Sequence, residues 1–278
     1  MLFKTFANRF FLTTVLFSSA VFSAPNLMLF PVRVVFDKNK RAHQIDLTNT
    51  GDEPGTYRIT LENKRMTEEG KFIPADKLLP GELPADKIIQ FSPRQVVLAP
   101  GAGQTIRLVL RKPGDLAIGE YRSHLVFSRI PDLASGTAAK NQLKKNEVGI
   151  TLTAMIGASI PVIVENGATT VTTHLTHLKF TKATEKESAR VNFQIDREGN
   201  RSAYGDLTVF WLPKGGTEKE LAASKGISIY SPYPSRNAVI SLQNENKISL
   251  VNGKLIIRYN ETRDAGGQLL AEASVEVP

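Results

Sequence analysis

The stretch "EVGITLTAMIGASIPVIV", residues 147–164, carries one charge at its first position and none after it. Val148, Ile150, Leu152, Ala154, Ile156, Ala158, Ile160, Val162 and Val164 fall on one side of a period-2 pattern. Gly149, Thr151, Thr153, Met155, Gly157, Ser159, Pro161 and Ile163 fall on the other. Successive strand side chains point to opposite faces, so the segment predicts one extended strand with a continuous apolar face. Strands commonly run ~5–6 residues and few exceed ~10, so this one is longer than its own sheet needs. Alternating threonines and glycines do not make the apolar helix surface that a membrane span requires.

Strand signals continue on both sides, separated by turns rich in Gly, Pro, Asn and Asp. Upstream lie 29–36 ("LFPVRVVF"), 43–49, 55–63, 95–100, 104–111 and 119–130. Pro100-Gly101 supplies a fixed φ followed by a positive one, which predicts a hairpin between 95–100 and 104–111. Within 67–90 the sequence supports a short hairpin at Glu69-Gly70, and 131–147 reads as a polar loop. Downstream come 171–181, 189–197, 206–213, 227–231, 237–243, 253–261 and 269–277. No amphipathic helix of ordinary length is legible. The pattern predicts an all-β protein of two immunoglobulin-like β-sandwich domains in tandem, residues 24–166 and 167–278. The linker at "VENGAT" is short, so their relative orientation is expected to be constrained.

The N-terminal segment, residues 1–23, has Lys4 and Arg9, an apolar run from Phe10 to Val21, and small residues after it. This is the layout of a secretory signal, with cleavage expected after Ser23 or Ala24 and a soluble, exported mature chain. Export permits disulfides, yet the chain has no cysteine, so its core alone must hold the fold and thiol chemistry is excluded. Removing Lys4 and Arg9 from the 35 basic residues leaves 33 against 27 acids, or +6. That surplus is spread along the chain, without a nucleic-acid recognition module, and reads as solvated surface.

Reactive motifs are scarce. "HLTH", 174–177, is a poor metal site because positions i and i+3 of a strand face opposite ways. The chain has no phosphate loop, nucleophile elbow or zinc-hydrolase helix, and Trp211 fits the core of the second domain. Neither an enzyme nor a cofactor is indicated.

Three segments together resemble the periplasmic chaperones of the chaperone–usher pathway, which assemble pili and surface coats. They are "PVRVVFD" (31–37), "PRQVVLAPGAGQTIRLVLRKPGD" (93–115) running on to "GEYRSHLVFSRIP" (119–131), and the long strand. The similarity covers most of the mature first half; the second half agrees in architecture more than in motifs. In that family the last strand of the first domain extends beyond its own sandwich. It is lent, edge to edge, to a subunit that lacks its final strand. The resemblance places the lent side chains at Leu152, Ala154 and Ile156, with Val148 and Ile150 toward the loop. An apolar edge of this kind also implies self-capping homo-oligomers of the free protein. Arg33 matches the cleft arginine that holds the subunit's terminal carboxylate, a role suited to a planar guanidinium. The lysine that usually accompanies it is replaced here by Pro161, which has no charge and no backbone donor. Arg122 and His124 share a parity on the neighbouring strand and are the candidate substitutes.

The resemblance therefore implies a non-enzymatic periplasmic chaperone with pilus subunits and an outer-membrane usher as partners, and no metal or ATP. The rival reading is a secreted structural or adhesive surface protein built from similar sandwiches. Such a subunit should carry an N-terminal donor segment, whereas "APNLMLFPVRVVF" enters a strand almost at once. A secreted hydrolase or sugar-binding module would need clustered carboxylates or exposed aromatic residues, which the sequence does not display.

Overall fold

The structure, a computed structural model, describes residues 27–37, 40–130, 157–185, 187–242 and 249–278. Among them regular structure is all β apart from one 3-10 turn at Arg263–Ala265. The first half contains β1 (Leu27–Phe30), β2 (Val34–Phe36), β3 (Ala42–Asn49), β4 (Gly55–Glu62), β5 (Lys64–Met66) and β6 (Phe72–Pro74). It continues with β7 (Ile89–Ser92), β8 (Gln95–Leu98), β9 (Gly103–Leu110), β10 (Gly119–Ile130) and β11 (Gly157–Asn166). One sheet has the order β1-β3-β9-β7 and the other β2-β11-β10-β4-β8, with β5-β6 a separate hairpin. The two larger sheets share one core. It is made by alternate residues such as Phe36, Ile45, Leu47, Ile106, Leu108, Leu125, Phe127, Val162 and Val164.

The second half contains β12 (Val171–Thr181), β13 (Arg190–Gly199), β14 (Ala203–Pro213), β15 (Lys219–Ile229), β16 (Ser235–Ser241), β17 (Gly253–Glu261) and β18 (Leu269–Val277). Its sheets run β12-β13-β16 and β15-β14-β17-β18. Trp211 and Tyr259, both fully buried, are the largest side chains of its core. The chain thus has two β-sheet-rich units, each with its own apolar centre, as the turn-punctuated strand pattern predicts.

Several local expectations are corrected. Residues 29–36 are two strands: β1 pairs with β3 in one sheet, then β2 pairs in parallel with β11 in the other. Pro31 between them lacks the N–H needed to carry a ladder onward. Residues 95–111 form no hairpin, because β8 pairs with β4 while β9 pairs with β3 and β7. The turn at Gly101 (φ 71°) carries the chain between sheets, held by its N–H on the Asn49 carbonyl at 2.8 Å. Turn chemistry fixes where a chain reverses, not which sheet it joins next. β7 and most of β15 were not foreseen. The hairpin at Glu69-Gly70 is present as β5 and β6 around Gly70, whose φ is 75°.

Candidate functional site

Part of the face of β10 and β11 turned away from the first core is covered by the second unit. Ile163 and, beside it in register, Val35 pack into the second core. Arg33, just ahead of β2, therefore faces the same junction. Its guanidinium carbon lies 4.3 Å from the ring centre of Tyr204 and 5.9 Å from that of Tyr230. Both rings belong to the second unit. Arg33 Nη1 is buried without a hydrogen-bond partner, so the side chain is positioned by ring faces and not by a carboxylate. It lines a cleft of about 580 Å³ between the units, with Val32, Glu165, Arg201 and Tyr204 among its walls.

Two carboxylates from the first unit meet this junction. Glu120 and Glu165 are cross-strand partners on β10 and β11. Glu120 is buried and accepts hydrogen bonds from the backbone N–H (2.8 Å) and the hydroxyl of Ser202 in the second unit. Burial pushes the Glu165 carboxyl above its usual range; Arg201 and, more weakly, Arg33 pull it back. The segment 202–204 is thus pinned to the first unit twice, through Ser202 and through the Tyr204 ring.

Arg122 and His124 sit further along the same face of β10, away from the cleft and beneath the β5–β6 hairpin. Arg122 Nε and Nη1 are buried without hydrogen-bond partners, and its guanidinium lies over Tyr230 at 4.2 Å. Burial lowers its pKa from the usual value. His124 is 1% exposed, with Phe72 edge-on at 4.7 Å and neither ring nitrogen bonded. Burial first, then Arg122 and Lys64, hold its pKa at about 3, so near neutral pH it supplies no charge. Arg33 and Arg122 therefore meet opposite ends of the Tyr204–Tyr230 platform, and His124 is part of the packing below it.

The hairpin acts as a strap. Met66 belongs to the second unit's core, and the Glu68 carbonyl accepts the Asn237 N–H at 2.7 Å. At its base Arg65 makes a two-pronged pair with Glu82, at 2.8 Å for each bond, and Tyr233 of the second unit donates its hydroxyl to the same carboxylate. The Arg65 bonds chiefly hold the Glu82 carboxyl at about 2, while burial and then the bond to Glu82 push Tyr233 up to about 12 against the pull of Arg65. The space left beside Arg122 is about 20 Å³, room for one water.

The described part of the long strand, β11, pairs with β10 along its length, from Gly157 opposite Ser128 to Asn166 opposite Gly119. Ile160, Val162 and Val164 face the first core, as their shared parity predicts. Its other edge is covered by β2 only at Val162–Val164, so the edge from Gly157 to Pro161 has no strand partner among the described residues. Val148, Ile150, Leu152, Ala154 and Ile156 lie outside the described residues. His174 and His177 both prove exposed, because a bulge between Thr176 and Lys179 breaks the strand parity. Among the described residues no three His, Asp or Glu side chains are placed to hold a metal.

Sequence reasoning singled out Arg33 but not Arg201, Tyr204 or Tyr230, which the fold brings to the same junction. They lie some 170–200 residues further on in the sequence and carry no local signal. No protein-family model matches the chain, and no curated protein sequence does. Among solved structures it is similar to the Pseudomonas aeruginosa chaperone CupB2, at 11% identity and TM-score 0.46, over 90% of this chain and 100% of that one. It is also similar to the class 5 fimbriae chaperone CfaA, at 15% identity and TM-score 0.42, over 91% and 100%. A third likeness is to the E. coli chaperone DraB, at 14% identity and TM-score 0.41, over 91% and 97%.

Proposed function

We propose that the protein is a non-enzymatic chaperone for pilus or surface-coat subunits, built from two immunoglobulin-like sandwiches and working in the periplasm. It lends the strand that leads into β11 to a subunit that lacks its final strand, and hands that subunit to an outer-membrane usher. The observation that carries this reading is the edge of β11 from Gly157 to Pro161, which has no strand partner among the described residues and is continuous in sequence with an apolar parity that begins at Val148. Main-chain groups on such an edge bond an incoming strand, and alternate side chains fill its groove. Arg33 anchors the far end by pairing with a chain-terminal carboxylate.

The test is affinity purification of the tagged protein from the periplasm, with mass spectrometry of what it carries. Subunits should be recovered by the wild type and lost on Leu152→Asp or Ile156→Asp, with the melting midpoint of the free protein nearly unchanged. If Leu152→Asp unfolds the free protein as a core substitution would, the strand is an ordinary interior one and the reading fails.

A further inference from the structure

The strap closes over buried donors that the fold leaves unanswered. Arg122 Nε and Nη1 are sealed from solvent beneath it without a hydrogen-bond partner. Tyr230 covers the flat face of the guanidinium at 4.2 Å, but the N–H groups point outward in its plane, where a ring face cannot accept them. The adjoining space of about 20 Å³ is lined by Asn63, Lys64, Glu82 and Arg122 of the first unit and by Ser231 of the second; the rest of its wall is apolar. Its acceptors are largely taken. Glu82 already receives both prongs of Arg65, the Leu79 N–H at 2.8 Å and the Tyr233 hydroxyl. Asn63 Oδ1 accepts the Ser123 hydroxyl at 2.6 Å, which leaves the N–H groups of that amide as its uncommitted side. The Leu83 carbonyl accepts the Arg122 backbone N–H at 2.8 Å. The space is therefore rich in donors and poor in acceptors. A water has two hydrogens to donate, and among the lining side chains the Ser231 hydroxyl is the chief group left to take one. A monatomic anion needs donors alone.

We propose that this space is a halide site, in which one chloride accepts from Arg122 and Asn63 and joins them to Ser231 of the second unit. The volume takes a single atom or water and excludes carboxylate, phosphate and sulfate. The charge agrees. Arg122 and Lys64 line the space against Glu82 alone, whose charge is offset by its two-pronged pair with Arg65. Glu120 acts on Arg122 only at a distance, being bonded to Ser202. A guanidinium buried without a close counter-charge is costly, and a halide beside it offsets that cost. Because the lining comes from both units, the ion binds the docked arrangement and not the unfolded chain, so it stabilises the junction by linkage. The site is independent of Arg33 and of what the protein captures.

The experiment follows the melting midpoint of the full-length mature protein as sodium chloride replaces sodium gluconate at constant ionic strength. Wild type should rise by roughly 2–4 °C to a plateau, and bromide should substitute for chloride. In parallel, the chloride NMR line of a wild-type solution should be broadened and should narrow when bromide competes. Arg122→Gln should lose both effects, Arg122→Lys should keep part of them, and Arg107→Gln, which removes an exposed cation, should keep both in full. Asn63→Asp supplies the negative charge covalently and should make the midpoint insensitive to chloride. If wild type melts alike in both salts and broadens no chloride line, the space holds water and the proposal fails. If the chloride increment survives in Arg122→Gln, the ion acts elsewhere on the surface and the assignment is wrong. Should Arg122→Gln not fold, Asn63→Asp decides: loss of the increment supports the site, and its retention overturns it.

Discussion

Arg33 and His124 show how much a neighbouring ring changes a polar side chain. Arg33 is held by the faces of Tyr204 and Tyr230 and acts on Glu165 only at a distance, without a close ion pair to it. Arg33→Ala should therefore cost the free protein only the cation–π contacts, about 1 kcal/mol, seen as a small drop in melting midpoint. Capture of a carboxylate-terminated partner should fall further, by ~1.5–3 kcal/mol. A large loss of stability with a merely proportional loss of capture would make Arg33 a structural residue. His124 is buried as a neutral ring with its pKa lowered to about 3, against 6.5 when unfolded. Its contribution is complete above the unfolded value and is lost as pH falls from about 6.5 toward 3, because the unfolded chain takes up the proton first. Glu82, at about 2 against 4.5, acts in the same direction but only below about 4.5. The windows overlap below about pH 4.5, so His124 is read alone above it: His124→Phe should flatten the fall in urea midpoint between about pH 6.5 and 4.5, and Glu82→Gln should reduce the fall below that. An unchanged profile in His124→Phe would show that the ring takes up its proton as readily in the fold as in the unfolded chain.

At the scale of elements, the strap and the long strand make opposite demands. Met66 lies in a hairpin of the first half, yet packs in the core of the second. Met66→Ala should cost ~2–5 kcal/mol, with the loss reported by Trp211 fluorescence in the second unit and not confined to the first. In the long strand, an aspartate at Leu152 or Ile156 should abolish subunit capture at little cost to the free fold, while Thr151→Asp and Thr153→Asp are tolerated. A pull-down paired with an unfolding curve reads both. The strand's parity was legible because alternation is a local property, and it holds where Ile160, Val162 and Val164 enter the core. The exchange of β8 and β9 between sheets was not legible, because the turn at Pro100-Gly101 looks the same whichever sheet follows. The bulge beside His177, whose φ is 54°, was equally silent. Nothing in "HLTH" announces an extra residue.

Across the whole molecule, the strap, the Glu120–Ser202 bonds and the stacked arginines join two units with separate cores. The free protein should unfold in one transition, and replacing Phe72 and Met66 together by alanine should split it in two, observable by calorimetry. The two β-rich units could be read from the sequence, because strand periodicity and turn residues are local; Arg33 was singled out only by the resemblance of its segment to a known family. The cleft could not be read at all. Arg33 and Glu165 meet Arg201, Tyr204 and Tyr230 only after the two halves have docked, and no short-range pattern encodes that meeting.

The strap also carries a consequence for the order of events at birth. Residues 64–74 are made long before Tyr230 and β16, which receive them. Until the second half has been synthesised, Met66 lacks the core it packs in and Phe72, resting on His124, lacks Tyr230 on its other side. The nascent first half is then a sticky body whose completion waits on distant sequence, a long-range closure that slows folding and invites aggregation. Release of the first half alone should give an aggregation-prone fragment, and adding the second half in trans should rescue its solubility.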